Sequence, residues 1–260
     1  MRRTVEAEEG QAQVRQSLAS RWRAGEATAG LWLSLGTPVA VELAAECNPD
    51  VIVLDAQHGL WDRVSLEWAL GMTGACAGLV RVARNRPELI GQALDAGAAG
   101  VIVPLVNTPE EAAQAVAAAH YPPRGHRSGG GIRPLRDMAG YIARCGQATV
   151  VCAMVETAEA LANAAAIAAT PGVDMVFIGP GDLGLSLGDT GDGLEAAVTR
   201  IREVCAAAGV PCGIFTGSPA AARARVREGF RLVIVGDDIS LLRSGFSAAR
   251  RSYEREGSDG

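Results

Sequence analysis

Residues 173–188 read VDMVFIGPGDLGLSLG. An apolar run of strand length breaks at Gly-Pro-Gly, and an acid, Asp182, stands where a helix can begin. Proline suits the first turn of a helix, where its missing N–H costs nothing, so the stretch reads as one strand–turn–helix unit. The unit recurs. Other strand runs are LWLSLG (31–36), VIVLDA (51–56), LVRVA (79–83), GVIVPLV (100–106), TVVCAMVE (149–156), VPCGIF (210–215) and RLVIVG (231–236). Helical stretches such as PELIGQALDAG and PEEAAQAVAAAH separate them, several opening on Pro and closing on Gly. Near-continuous apolar strands suit a parallel sheet covered on both faces. Eight of them in strict alternation with helices predict an α/β protein, a single-domain (β/α)8 TIM barrel. An open sheet built for a dinucleotide would carry GxGxxG after an early strand, and none stands there. The barrel is expected over residues 28–255, behind a charged N-terminal extension, 1–27, that is partly helical or frayed. One segment breaks the regular spacing: 121–148, an elaborated crossover with a Gly-rich loop.

Composition removes several functions. The chain has 260 residues, 48% hydrophobic, with a formal net charge of −5. No dense basic stripe stands out, so nucleic acid is not an expected partner. No apolar run approaches the roughly 20 residues that span a membrane, and MRRTVEAEEGQAQVR lacks a signal-peptide core, so a cytoplasmic protein is expected. The six cysteines show no CxxC spacing and read as buried thiols. All 24 basic residues counted as Lys+Arg are arginine. A chain without lysine forms no lysine Schiff base and carries no Walker-type phosphate loop.

In a barrel of this kind the active site lies at the C-terminal ends of the strands. Glu156 and Asp182 close neighbouring strand runs, and adjacent strands lie about 4.8 Å apart, so their carboxylates can converge. They serve either as hard oxygen ligands for Mg²⁺ or Mn²⁺ or as caps of the helices that follow. With a metal, a 2-keto acid could chelate through its keto and carboxylate oxygens, and an enolate formed by proton loss from C3 would be stabilised. The turn Gly179-Pro180-Gly181 would then offer backbone N–H groups to the substrate carboxylate. His58 follows Asp55 by three residues, where a carboxylate could orient it as a general base; a surface loop histidine is the plain alternative. Arg81 lies within an apolar strand and must meet an anion, either Asp55, another core acid or a substrate oxygen. His120 and His126, beside YPPRG, read as loop residues. Thr216, Asp237 and Asp238 complete the polar rim.

These residues resemble the class II, metal-dependent pyruvate aldolases of the HpcH/HpaI family, which includes 4-hydroxy-2-oxoheptanedioate aldolase and 2-keto-3-deoxy sugar acid aldolases. The resemblance runs from about residue 28 to about 250 and is carried by GLWLSLGTP, VIVLDAQHG, LVRVARN, ALDAGAAGVIVPLVNTPEEAAQAV with YPPRGHR, VETAEAL and VDMVFIGPGDLGLSLG. It implies metal ligands at Glu156 and Asp182, an acid/base pair at His58 and Asp55, and an arginine on the reacting oxygens at Arg81. It implies a pyruvate-carboxylate turn at Gly179, Pro180 and Gly181. It further implies Mg²⁺ or Mn²⁺, with Co²⁺ as another candidate, a 2-keto acid and an aldehyde as substrates, and a homo-oligomer, a trimer or a hexamer. Three departures surround the expected keto acid: Gln57 where many members have Glu, Met154 where several have Gln, and a shorter crossover with SGGG. They leave three readings: an aldolase, an oxaloacetate decarboxylase or enolate-trapping enzyme resembling macrophomate synthase, and a non-catalytic barrel that binds or assembles.

Overall fold

The apolar runs pair in chain order until the last meets the first. The computed structural model describes residues 18–256. Its strands β1 (Thr28–Leu33), β2 (Val51–Asp55), β3 (Ala77–Arg81), β4 (Gly100–Val103), β5 (Val150–Val155), β6 (Met175–Ile178), β7 (Cys212–Ile214) and β8 (Leu232–Asp237) form one closed barrel. Every pairing is parallel. Helices follow the strands, and their starts obey local chemistry. Thr108 and Ser218 cap the helices Pro109–Ala119 and Pro219–Glu228, each with proline in the first turn. Gly229 ends the second of these, and Gly188 and Gly209 end two others, in the left-handed conformation that glycine adopts without strain.

Side-chain alternation divides the core in two. Val51 and Val53, Ala77 and Leu79, Cys152 and Met154, and Met175 and Phe177 fill the barrel interior. Ile52, Leu54, Val151, Ala153, Val176 and Ile178 pack outward among the helices. The next inward positions along β2, β3 and β5 are Asp55, Arg81 and Glu156, so the period of two delivers all three to the inside of the C-terminal mouth.

The first strand differs from its expected span. It runs over Thr28–Leu33, not 31–36, because its start is set by pairing Thr28 with Leu232 of β8. Residues 1–17 lie outside the described residues, but residues 18–23 form a helix that closes the barrel floor. Leu18, Ala19 and Trp22 are buried with the interior residues. Trp22 Nε1 donates to Thr28 Oγ1 at 2.9 Å. Full burial of such a side chain is worth about 1.5–3 kcal/mol, so this stretch contributes to the barrel rather than trailing from it.

The crossover holds a short 3-10 turn, Pro134–Arg136, and the helix Met138–Ala148. Arg127 anchors it: Nη2 donates to Asp95 Oδ1 at 2.6 Å and to the Tyr141 hydroxyl at 3.1 Å. His120, read as a loop residue, follows the helix Pro109–Ala119 and is buried at 3% exposure, with Nε2 unpartnered. Among the described residues no helix is long and apolar enough to cross a membrane.

Candidate active site

Asp55 and Arg81 stand directly opposite each other at the ends of β2 and β3. Arg81 grips the carboxylate with two donors, Nε to Oδ1 at 2.8 Å and Nη2 to Oδ2 at 2.6 Å. Both are buried, and the guanidinium lies 4.9 Å from the centre of the Trp32 ring. Burial alone would raise the Asp55 pKa, but the Arg81 guanidinium and the amides of His58 and Gln57 hold it below the usual carboxylate range. Asp55 therefore answers Arg81's need for an anion. It also accepts the backbone N–H groups of Gln57 and His58 at 3.0 and 3.2 Å. The carboxylate–imidazole contact, one reading of this pair, is replaced by these bonds: Asp55 shapes the loop that carries His58, and among the described residues nothing hydrogen-bonds the ring.

Glu156 follows β5 and is fully buried. Its Oε1 accepts the amide of Leu105 at 2.7 Å, and Leu105 holds a positive φ of 53° to present that donor. Its Oε2 is buried without a partner. Burial pushes the Glu156 carboxyl up to about 7; the Leu105 amide pulls the other way, and the facing Asp182 carboxylate adds to the rise. Asp182 lies in the first turn of the helix Pro180–Leu187 and makes no side-chain cap there. Glu156 likewise does not cap; Thr157 does, accepting from Ala160 N. Two facing carboxylates that cap nothing, one with an orphaned buried oxygen, are a donor set suited to a hard divalent cation. Among the described residues no third His, Cys, Asp or Glu joins them, so water or substrate oxygens would complete the coordination.

A cavity of about 520 Å³ opens at this mouth. Its walls include His58, Arg81, Met154, Glu156, the turn Gly179–Asp182, and, on the other side, Trp32, Ser34, Phe215 and Asp237. Asp55 stands behind Arg81, and Gln57 lies outside the lining with its Oε1 buried and unpartnered. Thr216 bonds the Ile234 carbonyl, and Asp238 accepts the amides of Ser34 and Leu35 at 2.9–3.0 Å; both tie strands together. Sequence reasoning missed Trp32, Ser34, Phe215 and the Leu105 amide. Trp32 and Ser34 could have been found from the inward parity of β1; a backbone donor leaves no such trace.

A closed (β/α)8 barrel whose one mouth gathers a buried ion pair, two facing acids and a histidine around a cavity has the layout of a barrel enzyme. The HpcH/HpaI aldolase/citrate lyase family pattern matches residues 28–244, and the chain belongs to that family. A hydroxypyruvate/pyruvate aldolase of Rhizorhabdus wittichii is 41% identical over 239 residues, which cover 88% of this chain and 94% of that protein. A 5-keto-4-deoxy-D-glucarate aldolase of Salmonella arizonae is 34% identical over 236 residues, 87% of this chain and 92% of that one. The crystal structure of an HpcH/HpaI aldolase/citrate lyase family protein from Burkholderia cenocepacia superposes with a TM-score of 0.86 at 36% identity. The match covers 92% of this chain and 99% of that one.

Proposed function

We propose that this protein is a divalent-metal-dependent carbon–carbon lyase that cleaves or forms 4-hydroxy-2-keto acids through the enolate of pyruvate or a close relative. The observation that carries the reading is the unpartnered, buried Oε2 of Glu156 facing Asp182 at the cavity wall. Glu156 and Asp182 would hold Mg²⁺ or Mn²⁺, with Co²⁺ a further candidate. A bound cation would supply Lewis-acid stabilisation of the charge that develops on the keto oxygen.

The chain's own groups do the rest. Arg81, held in one orientation by Asp55 and Trp32, donates to the oxygens that gain charge as the C3 proton leaves. The backbone N–H groups of Gly181 and Asp182, at the start of a helix, seat the keto acid's carboxylate. His58, on the loop that Asp55 shapes, moves the proton, through a water where the reach demands it. Met154 and Phe215 exclude water from the reacting carbons. Relatives named for pyruvate and hydroxypyruvate support the donor class.

The same reading includes self-assembly. The helix Asp238–Glu256 leaves Ile239, Leu241, Leu242 and Phe246 at 42–70% exposure, and a second copy of the chain would cover them.

Proton–deuterium exchange at the pyruvate methyl, followed by NMR in D2O, tests the chemistry. Exchange is expected with Mn²⁺ and is expected to vanish with chelator or in Glu156→Ala. Exchange by folded Glu156→Ala at the parent rate would overturn the assignment.

A further inference from the structure

Two polar residues of the far cavity wall, Ser34 and Asp237, are not used by the enolate chemistry. Glu156 and Asp182 follow β5 and β6, whereas Ser34 and Asp237 stand at the ends of β1 and β8, across the barrel. Asp237 reaches the interior through an irregularity. Gly30 pairs with Ile234, but Leu31 pairs with Gly236, so β8 carries one extra residue, Val235. Ile234 faces the interior and Val235 packs outward with the helices. The inserted residue resets the alternation, and Asp237 falls opposite the inward-facing Trp32. A bulge that re-aims a side chain beside an active site is a recurring device of barrels.

Asp237 Oδ1 accepts the Ser240 amide at 2.9 Å, which caps the last helix. Capping uses one oxygen and would be served equally by Asn or Ser. Among the described residues no arginine pairs with this carboxylate and no hydrogen bond reaches its second oxygen, while Asp237 itself lines the cavity. Ser34 is held by its backbone alone: its N–H donates to Asp238 and its carbonyl accepts from Leu60 N at 2.8 Å. Ser34 also lines the cavity, and among the described residues its hydroxyl makes no hydrogen bond. Resting on the aldolase reading, the charges can be summed. A divalent cation offsets Glu156 and Asp182, and Asp55 offsets Arg81. The donor's carboxylate and Asp237 then leave two negative charges in one cavity.

We propose that Asp237, with Ser34, selects the acceptor: neutral hydroxyaldehydes are taken, because their hydroxyls can donate to the carboxylate and bond the serine, and aldehydes bearing a carboxylate are refused. Like charges gathered in one cavity disfavour an anionic ligand, and a carboxylate oxygen free to accept favours a ligand with a hydroxyl to give.

The test measures kcat/KM for addition of pyruvate, with Mn²⁺, to glycolaldehyde and to succinic semialdehyde. The parent enzyme is expected to favour glycolaldehyde. In Asp237→Asn, which keeps the cap and removes the charge, the ratio of succinic semialdehyde to glycolaldehyde is expected to rise about tenfold or more. In the parent, added salt is expected to raise the same ratio by screening, which needs no variant to fold. A parent that prefers the anionic aldehyde, or a ratio indifferent to both Asp237→Asn and salt, would overturn the inference. Pyruvate methyl exchange by the parent separates the two levels. Exchange without the expected acceptor preference defeats only the selection by Asp237; absence of exchange defeats the aldolase reading and this inference with it.

Discussion

A Cβ on Gly179 would stand 2.6 Å from Glu156 Oε2 and 2.5 Å from Met154 Cε. The Met154 methyl can swing aside; the Glu156 carboxylate is fixed by the Leu105 amide and cannot move without losing that bond. The first residue of the Gly-Pro-Gly turn is therefore glycine because the acid of the neighbouring strand occupies the space of its side chain. Gly179→Ala is expected to displace Glu156 and weaken Mn²⁺ binding about ten- to a hundredfold, as loss of ligand support commonly does. Titration of free Mn²⁺ by electron paramagnetic resonance reads this directly. Unchanged affinity in the folded variant would show that Glu156 does not hold the cation.

The buried Asp55–Arg81 pair gives a stability prediction. Removing one partner strands the other charge in the barrel, so Asp55→Ala is expected to cost about 3–5 kcal/mol in urea unfolding. Asp55→Ala combined with Arg81→Met removes both charges and is expected to recover a large part of that loss. If the double variant is no more stable than Asp55→Ala, the penalty comes from the 55–58 loop and not from an unpaired guanidinium.

His120 supplies a pH dependence. Burial, with Arg124 and Arg127 adding to it, lowers its pKa from 6.5 to about 4. Between those values the unfolded chain binds the proton and the native protein does not, so stability is lost as pH falls from 6.5 toward 4. Glu156 works the other way in the apo protein: its pKa, raised from 4.5 to about 7, favours the fold as pH falls through that window. Comparing His120→Phe with the parent, both with chelator, cancels the Glu156 contribution. The variant is expected to lose less stability between pH 7 and pH 4.5; an identical loss would show that His120 takes no proton on unfolding.

How much of this could be read from the chain follows from where each signal resides. The apolar runs and their alternation with helices carry the barrel, because parallel strands buried on both faces must be apolar. Glu156, Asp182, Arg81 and His58 could be placed at one mouth because inward parity and strand ends are sequence properties. The start of β1 could not: Thr28 and Ala29 carry little strand signal, and pairing with β8 decides them. The bulge at Val235 lies inside an unbroken VIVG run and leaves no mark. The Leu105 donor is a backbone group at positive φ on a residue that rarely adopts it, so side-chain identity does not announce it. Of the two readings of His58, a ring oriented by Asp55 or a plain loop histidine, the first is not met in its geometry: Asp55 accepts the His58 amide, since a buried arginine makes the first demand on the carboxylate.

The last prediction concerns assembly. Phe246 is 70% exposed on the helix Asp238–Glu256, in line with exposed Ile239, Leu242 and Tyr253. Residues three, four and seven apart share a helix face, so Ile239, Leu242 and Phe246 make one apolar stripe, and Tyr253 extends it. A stripe of this kind on a barrel's last helix is the sort of surface that obligate oligomers bury. Light scattering after size exclusion is expected to give a multiple of the monomer mass for the parent chain. Phe246→Asp places a charge in the middle of the stripe, where burial would leave it unpaired, and is expected to yield a smaller species. A monomeric parent would remove self-assembly from the proposed function, and an oligomer indifferent to Phe246→Asp would move the interface off this helix.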